Sequence, residues 1–523
     1  MNKLLSRKFF KQNWQLLCFN SITVILFVLF YGHFGDVMVD SFREAYIPSQ
    51  VINGQVLYKN IFTIYTPFAY LFNALIFKIL GVNLQALYFV GIIVTIAILN
   101  FVFAIANKFM NKTYSLSIIF FLIAVSVLSP NVFNFIFPYS YGMLYGLLFI
   151  LISIYFALKD KFQLAYLMYS FAICSKYEFI FVLPLLLYLT RKKDLLKNLI
   201  SLMLPILLTF IPIIVMGGDF KNILTSFQIV LSMSTTKTLY WFYSVMGLVF
   251  RWQLIPIYIV NLLKVIIPLG FMYYFRSWWL IILTTVYFAF IANPEIIIYA
   301  FPLILLTVLF QFHKLSNEKL FFILASLLVS IKLFFAITLM SYGVFFVPFV
   351  MISFFILIPN RYKKALFIIT LICAFVFGVK NSISLINKNT KIQTERGIVY
   401  AKSADSINDV ITYIQKNTKV TDKVLVYPEC LAINFLTNRE TDNKFYSLIP
   451  LYVETFGEEL IIKRIELTKP KYIIINNYDT GDYYYSYFGQ DYAVEIYDYI
   501  LKNYLLQKEV GNGMLFMIYK RKE

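Results

Sequence analysis

Histidine is nearly absent from this chain. His33 and His313 are the only two in 523 residues, which argues against a histidine-rich metal centre and against a Ser-His-Asp triad. Cysteine is scarce as well. Cys18, Cys174 and Cys373 lie in apolar runs, so Cys430 stands alone in the polar part, with no disulfide partner there and no zinc-ligand spacing. Charged residues make up 14% of the chain against 60% hydrophobic, a balance that excludes an ordinary water-soluble globule. Acidic residues are rarest in the first 380 positions, 9 against 28 Lys plus Arg, whereas residues 381–523 carry 18 of each. The net charge of +19 therefore belongs to the apolar part. Its basic residues sit in short gaps between apolar runs, as in cytoplasmic loops, so no nucleic-acid partner is expected.

What is present is a succession of apolar runs. The first, residues 16–31, lacks a small-residue cleavage site and is expected to remain as an anchor. Lys3, Arg7, Lys8 and Lys11 precede it and hold the amino terminus in the cytoplasm. Further runs fall at 85–107, 114–129, 142–158, 162–175, 178–190, 198–216, 255–275, 277–292, 295–311, 320–339, 344–359 and 364–380, giving about thirteen spans. Several are shorter than the roughly 20 residues that cross a bilayer, which implies tilted or broken helices. With this count the cytoplasmic gaps hold 18 basic residues and the outer gaps 8, while Lys264 and Lys332 fall within runs. The expectation is a multi-pass α-helical membrane protein over residues 1–380, followed by a soluble α/β domain over 381–523 on the outer side. In that domain the pattern predicts helices at 403–417, 457–467 and 490–504, strands at 423–427 and 471–476, and a hairpin at 511–513 leading into a strand at 514–520.

The first outer loop, residues 35–84, carries the charges that draw attention. Asp40, Arg43 and Glu44 share one helical face, with Asp40 one turn before Arg43. Pro48, Gly54 and Pro67 break the pattern, which predicts short interfacial helices near 41–53 and 67–80. A carboxylate next to a guanidinium joins a group that accepts protons to one that grips phosphate. An interfacial ion pair of little energetic weight is the plainer reading. Against it stand the scarcity of outer acidic residues and the predicted helix start at Asp40, where the dipole keeps a carboxylate ionised.

Lys176 and Glu178, in CSKYEF, sit where two short apolar runs meet. Burial of either in lipid costs about 2.5–3.5 kcal/mol, so they must face protein or a wet cavity, as a structural pair or with Lys176 on a phosphate. The uncharged loop at 130–142, PNVFNFIFPYSYG, includes Tyr139 and reads either as an aromatic belt or as the lining of a lipid or sugar pocket. Glu295 and Tyr342 lie in outer-facing turns and line a cavity or meet solvent. The tyrosine-rich stretch 476–489 reads as a surface loop, with sugar stacking as the alternative.

The order Asp40, Arg43, Gly54, Leu57, Tyr58, Pro67 and a run closing at Gly81 resembles the first outer loop of the GT-C glycosyltransferases. That group includes the protein O-mannosyltransferases of glycosyltransferase family 39 and the lipid A aminoarabinose transferase. In motif the resemblance covers residues 36–81 and 174–184; in layout it covers the membrane half. It implies that Asp40 takes the place of the catalytic Asp, with Asp36, one turn earlier, as the alternative. Arg43 matches the arginine that contacts the lipid phosphate, and Lys176 matches the lysine after the fifth span that holds the same phosphate. Where those relatives have Lys-Pro-Pro preceded by an acidic residue, this chain has Tyr65, Thr66 and Pro67. The departure removes a carboxylate associated with a bound metal, so neither metal nor cofactor is predicted, although a divalent ion stays open. Glu44, Tyr65, Glu178, Tyr139, Glu295 and Tyr342 are the further cavity-lining candidates.

The implied reaction is inverting transfer of a monosaccharide from a polyprenyl-phosphate donor to a lipid, glycan or protein acceptor at the outer face of the membrane. Richness in Lys, Ile, Asn, Phe and Tyr points to an AT-rich bacterial genome, hence to a bacterial inner membrane and undecaprenyl phosphate as carrier. The competing reading is a transporter or flippase for a polyprenyl-linked glycan, which needs the cations and not Asp40. A membrane-anchored binding module leaves the buried charges of the spans unexplained.

Overall fold

Within lipid every backbone N–H and C=O must be satisfied inside the protein, so apolar runs of this kind fold as helices. They do so in the computed structural model, which describes residues 2–191, 195–232, 238, 252–275, 277–291, 301–331, 341–402, 404–511 and 515–522. Among the described residues four helices are long and apolar enough to cross a membrane: Leu84–Phe109, Leu195–Val215, Ile255–Met272 and Asn360–Ile386. Shorter apolar helices occupy other runs, among them Trp14–Leu29, Tyr141–Ala157, Phe162–Ser175 and Gly343–Leu357. The chain is a helical membrane protein with a small sheet region at its carboxyl end.

Breaks in the helices have local causes. The run expected from 178 opens as a tight turn, Tyr177–Val182, before the helix Leu183–Thr190, where Pro184, which has no N–H, sits in the first turn that favours it. Lys112–Leu122 continues as a single wide turn, Ile123–Val127, and Trp278–Val286 does the same through Tyr287–Ile291. The start of the run at 295–311 and the end of that at 320–339 lie outside the described residues.

Two compact units emerge. The first comprises Met1–Phe34, Phe89–Ile206 and Gly247–Ile386. In it Tyr141–Ala157 packs against Phe162–Ser175, and Gly142 permits the close approach: a Cβ there would lie 2.6 Å from the Ser175 carbonyl oxygen. The aromatic loop at 130–142 is not an interfacial belt but core. Phe135, Ile136 and Phe137 are fully buried, the Thr95 hydroxyl donates to the Phe135 carbonyl at 2.7 Å, and Asn134 Oδ1 accepts from the N–H groups of Ile136 and Phe137 at 2.9 and 2.7 Å.

The second unit comprises Gly35–Tyr88, Leu207–Met246 and Asn387–Glu523. Its sheet has the order β3-β4-β6-β5, formed by β3 (Val424–Tyr427), β4 (Tyr472–Asn476), β5 (Tyr504–Val510) and β6 (Phe516–Arg521). A separate hairpin pairs β1 (Thr390–Thr394) with β2 (Gly397–Ala401). β3 and β4 run parallel and are buried along their whole length, as an all-apolar strand requires. The helices Glu458–Thr468 and Val494–Asn503 bury Ile461, Ile465, Ile496 and Ile500 against Leu425, Ile473 and Ile475. Each such side chain contributes about 1.5–3 kcal/mol by leaving water.

Three features depart from the sequence expectation. The helix expected at 490–504 is Val494–Asn503, and residues 504–510 pair as β5, a strand the pattern did not predict; the β1/β2 hairpin was not foreseen, and Leu431–Thr437 and Pro450–Phe456 are additional helices. The expected turn at 511–513 lies largely outside the described residues. The first-loop helices are Arg43–Ile52 and Phe68–Leu80, close to their predicted positions.

Candidate active site

The entry to the first loop is folded by its own polar groups. Asp36 Oδ1 accepts the N–H of Met38 at 2.7 Å and of Val39 at 3.3 Å, while its own N–H donates to Ser41 Oγ at 3.1 Å. Asp36 is thereby occupied in a turn. Asp40 adopts a left-handed backbone with φ +54°, a conformation that Asp tolerates better than most residues. Its carbonyl accepts the Arg43 N–H at 3.0 Å, so Asp40 lies just ahead of the helix Arg43–Ile52.

The charges then meet. Arg43 Nη1 donates to Asp40 Oδ1 at 2.7 Å, Arg43 Nε stands 3.6 Å from Glu44 Oε1, and the guanidinium lies over the Tyr65 ring with its carbon 4.6 Å from the centroid. Tyr70 donates its hydroxyl to Glu44 Oε1 at 3.3 Å. Side-chain exposure sorts the three: Asp40 is 31% exposed, Arg43 6% and Glu44 2%. Arg43 is thus a cation fixed between two carboxylates, and Asp40 is the member that reaches out. Burial pulls the Arg43 pKa down, but Tyr65, Asp40, Tyr70 and Glu44 more than restore it, and the guanidinium stays charged.

Residues far along the chain complete the cluster, and sequence reasoning missed them. Glu429 is buried, close enough to Asp40, Asp36 and Arg43 for their charges to act on it. Burial pushes its pKa up to about 8; Asp40 and Asp36 add to the shift, and Arg43 opposes it. Lys388 Nζ donates to the Gly35 carbonyl at 2.8 Å, and burial lowers its pKa to about 8 against the pull of Asp36. Tyr478 and Tyr483, from the tyrosine-rich loop, have hydroxyl pKa values raised by burial and by the proximity of Glu429 and Asp40. A sequence signal for Glu429 existed. It lies two residues past the carboxyl end of β3, Asn476 ends the neighbouring parallel strand, and Asn476 Nδ2 donates to the Glu429 carbonyl at 2.6 Å. The carboxyl ends of parallel strands are where such sheets present their functional groups.

The remaining sequence candidates are placed elsewhere. Lys176 and Glu178 lie in the first unit, 2% and 11% exposed, with Nζ and Oε1 3.7 Å apart. Tyr139 is half-buried with its ring centroid 5.5 Å from that of Phe133. Glu295 and the side chain of Tyr342 lie outside the described residues. Among the described residues no group of three or more His, Cys, Asp or Glu side chains is placed to hold a metal ion.

No family model matches the chain, and no curated protein matches it. Solved structures do. The oligosaccharyltransferase of Archaeoglobus fulgidus in its apo form aligns over 91% of this chain and 71% of its own, at 12% identity and a TM-score of 0.51. ArnT from Cupriavidus metallidurans bound to undecaprenyl phosphate aligns over 97% and 98%, at 11% identity and a TM-score of 0.43. The A. fulgidus oligosaccharyltransferase AglB with an inhibitory peptide and a dolichol-phosphate aligns over 89% and 70%, at 11% identity and a TM-score of 0.49. The chain thus shares the fold of the A. fulgidus oligosaccharyltransferase.

Proposed function

We propose that the chain is an inverting glycosyltransferase that moves a monosaccharide from a polyprenyl phosphate to an acceptor at the outer face of a bacterial inner membrane. The observation that carries this reading is the Asp40–Arg43 pair: an accessible carboxylate held 2.7 Å from a buried guanidinium, at the position where the GT-C first loop carries its functional residues. Asp40 takes the proton of the acceptor hydroxyl or amine. The acceptor atom forms its bond to the anomeric carbon as the bond from that carbon to the phosphate oxygen breaks, and the electron pair leaves with the lipid phosphate. Fixed cations stabilise the charge that gathers on the departing phosphate, the role assigned to Arg43. Lys176 is proposed as a further ligand of the donor phosphate on motif resemblance. A well-placed base contributes roughly 10² to 10⁴ in rate.

In this reading about thirteen spans with a cytoplasmic amino terminus form the catalytic part, residues 1–380, and residues 381–523 lie outside the membrane. The carrier follows from the bacterial reading as undecaprenyl phosphate. Glu44 and Tyr65 hold Arg43 in place and act through it.

The test uses the full chain reconstituted in vesicles with a panel of undecaprenyl-phosphoryl monosaccharides carrying a labelled sugar. Transfer of label off the lipid by the wild type, and its loss in Asp40→Asn, supports the reading. Movement of the intact lipid across the bilayer without transfer, unaffected by Asp40→Asn, replaces it with a flippase.

A further inference from the structure

The first unit contains a cavity that the transfer reaction does not use. Its volume is about 380 Å³, within the roughly 300–1,000 Å³ of ordinary ligand sites. Four helices wall it. Gln15 comes from the start of the apolar stretch Trp14–Leu29, Asn100 and Asn107 from the last turns of Leu84–Phe109, Lys112 from the start of Lys112–Leu122, and Tyr155 from the last turn of Tyr141–Ala157. Leu16 and Phe101 add apolar wall between these polar groups. In the topology proposed above, this end of the helices is the cytoplasmic one, where lipid head groups lie and basic pockets between spans hold anionic ones.

The polar side chains of the lining differ in what they already bind. Asn100 is engaged, since its Nδ2 donates to the Ile96 carbonyl at 2.7 Å and its side chain pairs with that of Asn20 at 3.3 Å. Asn107, two turns further on, is not: its Oδ1 is buried and accepts from no protein group, a condition rare in native structures. Lys112 is exposed, and among the described residues its ammonium makes no hydrogen bond or ion pair. The Tyr155 hydroxyl oxygen accepts from Lys159 Nζ, which also lies 4.4 Å from the ring centroid, so the Tyr155 O–H is left to donate. Lys108, by contrast, is taken by Glu318 at 2.7 Å.

We propose that this cavity binds the head group of an anionic glycerophospholipid whose head carries hydroxyls, as phosphatidylglycerol does. The phosphate oxygens accept from Lys112 and Tyr155, a head hydroxyl donates to Asn107 Oδ1, and the glycerol backbone with its acyl chains follows the apolar wall. A choline head brings the same phosphate with no donor for Asn107, and an ethanolamine head sets its ammonium against Lys112 and Lys159. The residues belong to the first unit, whereas Asp40 and Arg43 belong to the second, and the inference does not depend on the transfer reading.

The experiment counts lipid bound to the full chain in detergent by native mass spectrometry, during titration with phosphatidylglycerol or with phosphatidylcholine of the same acyl chains. The tightest event in the wild type favours phosphatidylglycerol by about tenfold, and the ratio drops to about one in Lys112→Ala and in Asn107→Leu. Lys314→Ala, which removes an exposed cation outside the cavity, leaves it unchanged. Equal affinity for the two lipids in the wild type, as a cavity that holds only water gives, overturns the proposal, and so does a preference retained in either cavity variant. Glycerophosphoglycerol, the head without acyl chains, is the remaining arm: binding as tight as that of the lipid reassigns the site to a soluble phosphate ester. If Asn107→Leu does not fold, the exposed Lys112→Ala decides alone. No sugar transfer enters the readout, so its outcome is separate from the assay that tests Asp40 as the base.

Discussion

The Tyr46 hydroxyl donates to Asn443 Oδ1 at 2.9 Å and accepts the Thr441 N–H at 3.0 Å, joining two parts of the second unit 397 residues apart in the chain. Asn443 Nδ2 reaches back to Gln50 Oε1 at 3.4 Å, and the Phe62 ring packs edge-on against Phe456 with centroids 4.9 Å apart. Tyr46 is buried, so Tyr46→Phe strands the Thr441 N–H and Asn443 Oδ1 without water to replace the hydroxyl. A buried polar group left unsatisfied costs about 1–3 kcal/mol. The thermal midpoint of the purified chain is expected to fall, and an unchanged midpoint would mean that these bonds do not hold the loop.

Asp36 and Asp40 are separated by what they already do. The Asp36 carboxylate serves the N–H groups of Met38 and Val39, and an asparagine oxygen can accept both bonds. Asp36→Asn is therefore expected to retain transfer within a few-fold, whereas Asp40→Asn, which removes the accessible base, loses it by about 10² or more. The reverse pattern in initial rates would move the base one turn along the chain.

Arg43 does more than carry charge. Its fork addresses Asp40 and Glu44 at once while its plane lies over Tyr65, a geometry that an ammonium does not reproduce. Arg43→Lys is expected to weaken binding of undecaprenyl phosphate about tenfold, and Arg43→Ala more, since it also strands the buried Glu44. Wild-type affinity in Arg43→Lys, measured in detergent, would show that only the positive charge matters.

Glu429 also shapes stability against pH. Its folded pKa of about 8 lies above the ordinary 4.5, so the folded chain keeps a proton that the unfolded chain releases. The stabilisation is complete below about pH 4.5 and is lost as pH rises towards 8. Thermal midpoints of the wild type are expected to decline from pH 5 to 8. Glu429→Gln, neutral in both states, shows a smaller decline, and an equal decline contradicts the assignment.

The membrane helices were legible because a run of apolar residues has one fate in lipid. Likewise β3 and β4 announced themselves as continuous Val, Leu and Ile runs, and Asp40 with Arg43 through spacing alone. β5 was hidden because Leu505 and Leu506 follow a helical pattern directly, and only pairing with β6 pulls residues 504–510 into a sheet. The place of Glu429 beside Asp40 was invisible for a deeper reason. Nothing local in the YPEC stretch encodes its contacts with Asn476 and Val37, both distant in sequence. Loop 130–142 misled because a belt and a core use the same aromatic residues, and Asn134 turning inward decides between them.

The most direct measurement is a single turnover with excess purified chain and a labelled undecaprenyl-phosphoryl sugar, following release of undecaprenyl phosphate. For the sugar that the wild type accepts, Asp40→Asn should release the lipid phosphate about 10² to 10⁴ times more slowly while binding the donor with an affinity within about threefold of the wild type. Release at the wild-type rate by Asp40→Asn would contradict the account.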